Sequence, residues 1–190
     1  STGSFGVAHS VANLWHEPMC RPVVHPILLK LLHSTDERVF SALSAVFLRG
    51  GFVADAETRE LMDALVECPE LLKNGRAERL PELLVNLVTS EPERVCRLAH
   101  TLLNVAGDQM GNIATGWYLS TECLLDIALQ LQDMGAVERA AGSELFERML
   151  EFNMPQAREM TLDLDKRTPV GGTPRAPVRR RSRAKARRTA

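Results

Sequence analysis

Pro26-Ile27-Leu28-Leu29 begins the stretch that decides the fold, and Ser34-Thr35-Asp36-Glu37-Arg38-Val39 completes it. The same pattern returns as Pro81-Glu82-Leu83-Leu84 followed by Ser90-Glu91-Pro92-Glu93-Arg94-Val95. In both copies an apolar helix ends, a serine stands three residues before a glutamate, and a second apolar helix follows. This echo predicts an internal helical repeat, in which stacked helices bury a continuous core and display a long surface.

Apolar residues at helical spacing extend the pattern in both directions from these copies. After a helix end at about 5–16, we expect helices over about 22–33, from Ser34 to Gly50, 55–68, around Leu80 to Leu87, from Ser90 to Gly107, 114–134, 136–152, and from Asn153 onward. Each copy then holds three helices. The two serines lie 56 residues apart, so the repeat is longer than a HEAT or armadillo unit and irregular. The fold class is all-α, an irregular α-solenoid of about eight helices.

Short motifs predict where these helices begin and end. Ser34 with Glu37, and Ser90 with Glu93, have the spacing of a capping box, in which each side chain satisfies an amide of the first turn. Asn153 is the expected cap of the last helix, with Pro155 near its first position. One continuous core is expected to contain Leu28, Leu31, Leu43, Leu84, Leu87, Leu98, Leu102, Ile127 and Leu131.

The charges divide the chain into two parts. Residues 1–165 hold all 24 acidic residues against 13 Lys and Arg, a net charge of −11, whereas residues 166–190 hold ten cations and no acidic residue. From Thr168 onward, prolines, glycines and arginines replace the apolar periodicity. We therefore expect a helical-repeat domain over 1–167 and a disordered Arg-rich tail over 168–190.

The four cysteines indicate a reducing compartment. Cys20, Cys68, Cys96 and Cys123 are scattered through apolar helical patterns, without metal or redox spacing. The sequence has no secretory signal pattern and no apolar run long enough to span a membrane, which favours a cytoplasmic protein. It begins at Ser1 close to a helical pattern, so we expect a fragment of a longer chain.

Metal binding and catalysis have weak candidates. His16, Cys20 and His25, with His9 nearby, are metal-ligand types, but their spacing matches no closed zinc pattern and prolines interrupt the segment. Loop and cap roles are the expected ones. Glu144, Glu147 and Glu151 repeat at i, i+3 and i+7, as on a solvated helix face. We therefore predict no catalytic residue, no cofactor and no metal.

Two segments are candidate contact sites. Trp117-Tyr118 follows a glycine-bearing loop and could anchor a protein partner, although core packing is the favoured role for this pair. The tail could contact phosphates, without sequence specificity because it carries no aromatic residue. Its candidate residues are Arg179, Arg180, Arg181, Arg183, Lys185, Arg187 and Arg188. A solubilising extension, or an arm that folds back on the acidic domain, remains an equal alternative.

The alternation of short Leu-rich helices resembles the HEAT and armadillo α-solenoids. Four segments, 122–128, 144–151, 157–159 and 163–167, resemble the C-terminal helices of bacterial signal-transducing (STAND-type) NTPases. That resemblance implies a helical sensor, some relatives of which act in antiviral defence. The nucleotide site of such a protein would lie upstream, since no phosphate-binding loop with its lysine occurs in this chain.

The leading hypothesis is a non-catalytic protein-interaction or sensor scaffold, with a protein partner and an unknown oligomeric state. The second is non-specific nucleic-acid association through the tail. A third, a helical-repeat DNA glycosylase, would need a basic groove, and a domain charge of −11 argues against it.

Overall fold

A computed structural model describes residues 2–48, 52–110 and 120–167. Throughout these ranges the chain is all-α, and they contain no strand. The helices are α1 (Thr2–Leu14), α2 (Arg21–Leu31), α3 (Glu37–Leu43), α4 (Ala56–Glu67), α5 (Leu80–Val85), α6 (Pro92–Met110), α7 (Thr121–Gln132), α8 (Ala136–Glu151) and α9 (Pro155–Arg167), with 3₁₀ turns at Ser44–Phe47 and Pro69–Leu72.

The helices pack in two rows. In one row α2, α4, α6 and α8 contact each other in succession, while in the other α1 contacts α3, and α7 lies between α5 and α9. The two rows meet where α1 packs on α2 and α7 packs on α8. Neighbours within the first row run parallel. For example, His25 faces Glu60 and His33 faces Cys68, two contacts with the same sequence offset of 35 residues.

One connected core lies between the rows. Eight of the nine leucines and isoleucines expected in the core are buried, and Leu31 is half-buried against it. The spacing of Val24, Ile27, Leu28 and Leu31 predicts that these four residues share the inner face of α2. This prediction is wrong for Ile27, which is 40% exposed. The inner face instead holds Val24, Leu28 and, just past the helix, Leu32. Each fully buried leucine stabilises the fold by about 1.5–3 kcal/mol, because its apolar side chain is removed from water.

Both predicted capping boxes are wrong. Asp36 caps α3, because its Oδ1 accepts a hydrogen bond from the backbone N–H of Arg38, whereas Ser34 Oγ accepts from the N–H of Asp36 in a turn before the helix. At α6 the helix begins at Pro92, a residue that needs no amide partner there. Ser90 instead donates its hydroxyl to the carbonyl of Leu87.

Two predicted ends also differ. Gly107 lies inside α6, which continues to Met110. The ring of Phe152 packs against it so closely that an added Cβ would overlap the ring. Asn153 does not cap α9 but closes α8. Its φ is 57°, and the amides of Asn153 and Met154 donate to the carbonyls of Leu150 and Met149, which is a Schellman motif. Pro155 is the first residue of α9, as predicted. Gly50 and Gly51 lie outside the described residues.

Candidate interaction surface

Helices α6 and α8 lie side by side and parallel, at the end of the first row. Cys96 Sγ points to the carbonyl of Ala141 at 3.9 Å, and Arg148 donates from Nη2 to Asn104 Oδ1 at 3.1 Å. These contacts span 45 and 44 residues of sequence. Because the two sequence offsets differ by one residue only, α6 and α8 keep nearly the same register along their length.

A glycine sets the position of α8. Gly142 packs on α7, where an added Cβ would lie 2.6 Å from the carbonyl oxygen of Ala128 and 2.9 Å from Leu131 Cβ. Any larger residue would push α8 away from α7. The close approach fixes α8 against α7 and leaves its other flank facing α6.

An apolar cleft of about 300 Å³ opens between the first turns of α6 and α8. Val137, in the first turn of α8, is 78% exposed at this cleft, a position that invites contact with another apolar surface. The residues around the cleft are Pro92, Glu93, Cys96, Arg97, Leu131, Val137, Glu138 and Ala141.

A second, polar cleft of about 430 Å³ follows along the same two helices. Its lining residues are His100, Asn104, Glu144, Glu147, Arg148 and Glu151. We call the two clefts together the α6–α8 crevice. Five glutamates and two arginines line it, and Arg148 is engaged by Glu151 at 2.5 Å. The crevice is therefore acidic.

Two titratable groups of the crevice, Cys96 and His100, favour their neutral forms. Burial, with a contribution from the charge of Glu144, raises the pKa of the Cys96 thiol to about 11, so the sulfur is a protonated, poorly nucleophilic thiol at neutral pH. Burial also lowers the pKa of His100, with Glu144 opposing the shift and Arg148 adding to it. His100 and Glu144 could together move a proton, but the one thiol beside them is not an activated nucleophile.

An ion network joins α4 to α6 next to the crevice. Glu91 is 8% exposed and accepts from Arg59 Nε at 2.5 Å and Arg94 Nη1 at 3.0 Å. Asp63 in turn accepts from Arg94 and from Arg97. The hydrogen bond from Arg59, reinforced by Arg94 against the opposing effect of burial, keeps the pKa of Glu91 below its ordinary value. The network holds Arg97 at the rim of the apolar cleft.

The candidate contact residues predicted from the sequence are not among the described residues. Trp117 and Tyr118 lie outside the described residues, as do Arg179, Arg180, Arg181, Arg183, Lys185, Arg187 and Arg188. The histidines near Cys20 are separated by their contacts. His16 Nε2 lies 3.0 Å from the carbonyl of Ala45, and the ring of His25 packs near Trp15.

Within the described ranges, no group of three His, Cys, Asp or Glu side chains is placed to hold a metal ion. A helix long and apolar enough to cross a bilayer is likewise absent from those ranges.

Sequence reasoning missed the crevice. It identified Glu144, Glu147 and Glu151 as a solvated face, and they are exposed, but they also border a cleft shared with α6. The sequence offered one indication, Val137, an apolar residue in the first turn of a helix and directly before Glu138 and Arg139. The offset of about 45 residues between α6 and α8 could not be read from the sequence echo, which has a period of 56.

Comparison of the chain with protein-family models, with curated proteins and with solved structures finds no match.

Proposed function

We propose that the chain is a non-catalytic protein-interaction scaffold and that the α6–α8 crevice receives a segment of a partner protein. The observation that carries the proposal is the arrangement of the crevice, an apolar cleft with an exposed valine continued by an acidic cleft. A segment with one apolar anchor and neighbouring Lys or Arg residues fits this arrangement, because the anchor fills the first cleft and the cations face the glutamates of the second.

An irregular α-solenoid is the architecture that we propose for this scaffold. The packing of α2, α4, α6 and α8 into one row of parallel helices supports it, since stacked units of a solenoid contact only their neighbours. Contacts along this row span 35, 31 to 34, and 44 to 45 residues in turn. These offsets favour a helix pair of variable length as the repeating unit, shorter than the three-helix copy predicted from the sequence. That this chain is part of a larger STAND-type signalling or defence protein stays a prediction from sequence resemblance.

The test is selection of peptides from a phage-displayed library on the immobilised full chain. We expect the enriched peptides to share an apolar residue flanked by Lys or Arg. Synthetic versions of these peptides should lose at least about tenfold in affinity for the Val137→Lys variant, because this change removes the apolar rim and adds a repelling charge.

Val23→Lys is the matched control, since Val23 is 70% exposed and lies on α2, away from the crevice. Peptide binding should be unchanged in this variant. Enrichment of peptides without cations, or equal affinity for both variants, would contradict the proposed function.

Non-specific binding of nucleic acid through the tail is the second candidate function. The ten cations in residues 166–190, without any acidic residue, favour it. Replacing the seven candidate cations with Gln in the full chain should abolish binding to duplex DNA. In the parent chain the log affinity should fall with log salt by about 0.9 per phosphate contacted. If the substitution instead lowers stability, and does so less at high salt, the tail folds onto the acidic domain. If neither property changes, the tail has no binding role.

A further inference from the structure

The outward face of α2 is an apolar surface without a partner among the described residues. Val23 is 70% exposed and Ile27, one turn later, is 40% exposed, while Met19 just before the helix is 91% exposed. Pro22 and Pro26 lie between them on the same side, also exposed. Lys30 is the one charged residue on this face. A monomer exposes so contiguous an apolar patch only at a cost in solubility, so such patches mark interaction sites.

The neighbouring helix α1 adds a second uncharged surface. Between Thr2 and Leu14 it carries no Asp, Glu, Lys or Arg. Its inner face is buried, whereas Val7 is 46% and Leu14 41% exposed. Together α1 and α2 form the first helix pair of the two rows, and we call their exposed residues the α1–α2 face.

The distribution of charge along the chain favours a second copy of the chain as the partner of this face. Residues 1–35 contain one acidic residue, Glu17, and two basic residues, Arg21 and Lys30, so residues 36–165 carry a formal charge of −12. Arg21 is buried and paired with Asp55. The rest of the domain is acidic on balance, so two copies that met through it would bring an excess of like charges together. Through the α1–α2 face they meet without that repulsion, and a two-fold contact requires a patch that complements itself.

We infer that the α1–α2 face is the contact surface of a symmetric homodimer. The interface buries Met19, Val23 and Ile27 of each copy against the same surface of the other. It lies apart from the α6–α8 crevice, so a dimer presents two crevices to its partners. The inference does not depend on the proposed function, and either can fail without the other.

Sedimentation velocity of the full chain over a range of concentrations tests this inference. Val23→Lys and Val137→Lys form a matched pair, because the two valines are similarly exposed. We expect the parent chain and Val137→Lys to form dimers with the same dissociation constant. Val23→Lys should raise that constant at least about tenfold, because two added lysines meet across the two-fold axis. Ile27→Lys should act in the same way, and thermal unfolding curves establish that each variant is folded.

Salt separates this dimer from an association of the basic tail of one copy with the acidic domain of another. Contact through the α1–α2 face should persist or tighten at high salt, because the repulsion between the acidic domains is screened. A tail-mediated association should weaken. A chain that is monomeric at every concentration overturns the inference, as does a dimer that dissociates in high salt or is unaffected by both α2 substitutions.

Discussion

The α2–α4 joint and the α6–α8 joint belong to the same row of parallel helices but are closed in different ways. At α2–α4, Arg21 fills the space. Its guanidinium lies 5.0 Å from the centre of the Trp15 ring, donates from Nε to the carbonyl of Trp15, and pairs with Asp55. Among the described residues no buried arginine lies between α6 and α8, and Arg148 joins the two helices at the surface, where it contacts Phe152 and donates to Asn104. A buried arginine makes one joint a structural link, and its absence makes the other a crevice.

The largest expected effect is loss of the arginine that closes the first joint. Arg21→Met should lower the free energy of unfolding by about 3 kcal/mol, because removal of one partner leaves a desolvated carboxylate. This loss lies at the lower end of the range for a broken buried ion pair, because the side chain of Asp55 is 32% exposed and keeps its hydrogen bond from the N–H of Thr58. Urea unfolding measures the change.

Arg148→Gln is the control at the open joint. Its partner Glu151 is exposed, so we expect a loss below about 1 kcal/mol. Equal losses at the two arginines would erase the distinction between the joints.

The helices and their core were predictable because burial imposes a period that the sequence displays. Leu98 and Leu102, or Ile127 and Leu131, fall on one face and are buried as expected. The helix caps were not predictable from the sequence. Ser34 and Asp36 both carry a side-chain oxygen that can accept a hydrogen bond, and only the path of the chain decides which of them reaches the amide of Arg38. The crevice depends on the offset between two helices, and that offset is set by contacts such as Gly142 with Ala128. Such contacts leave no local pattern.

The next prediction concerns the packing of α8 on α7. Gly142→Ala should destabilise the chain by about 1–3 kcal/mol, since the added methyl group meets the backbone oxygen of Ala128 and the region must shift. The shift moves α8 relative to α6, so affinity for a crevice-binding peptide should fall as well. Ser143→Ala, at the next position, serves as control and should change stability by less than about 0.5 kcal/mol. A stabilised Gly142→Ala variant would show that α8 is loosely seated.

Acid should distinguish the joints by the pH at which each loses stability. Burial holds the pKa of His100 below its ordinary value of 6.5, so the unfolded chain binds more protons in the interval beneath that value. Stability therefore falls as the pH drops through that interval. His100→Asn should flatten this part of the profile, measured by urea unfolding between about pH 7 and about pH 5.

The closed joint responds to stronger acid. Burial alone would raise the pKa of Asp55, but the hydrogen bonds from Thr58 and the charge and hydrogen bond of Arg21 outweigh it and lower the pKa below 3.8. A carboxylate with a depressed pKa contributes stability above its unfolded value, and this contribution is lost as the pH falls through the folded value. Arg21→Met should reduce this part of the profile, since only the hydrogen bonds with Thr58 would still lower the pKa of Asp55, and should leave the part near His100 unchanged. A single acid transition in every variant would refute separate joints.

The smallest effect concerns α1, which packs on the closed half of the row. Gly6 is exposed within this helix, and a Cβ added there has no atom within 4 Å. Glycine in a helix interior costs about 0.5–1 kcal/mol relative to alanine, so Gly6→Ala should stabilise the dilute, monomeric chain by that amount. Urea unfolding at concentrations below the dimer dissociation constant measures it. Gly6 is one of the exposed residues of the α1–α2 face, so in a dimer that uses α1 the added methyl group would meet the second copy. The same substitution should then weaken self-association while it strengthens the fold. A variant that gains stability and dimerises like the parent would confine the dimer contact to α2.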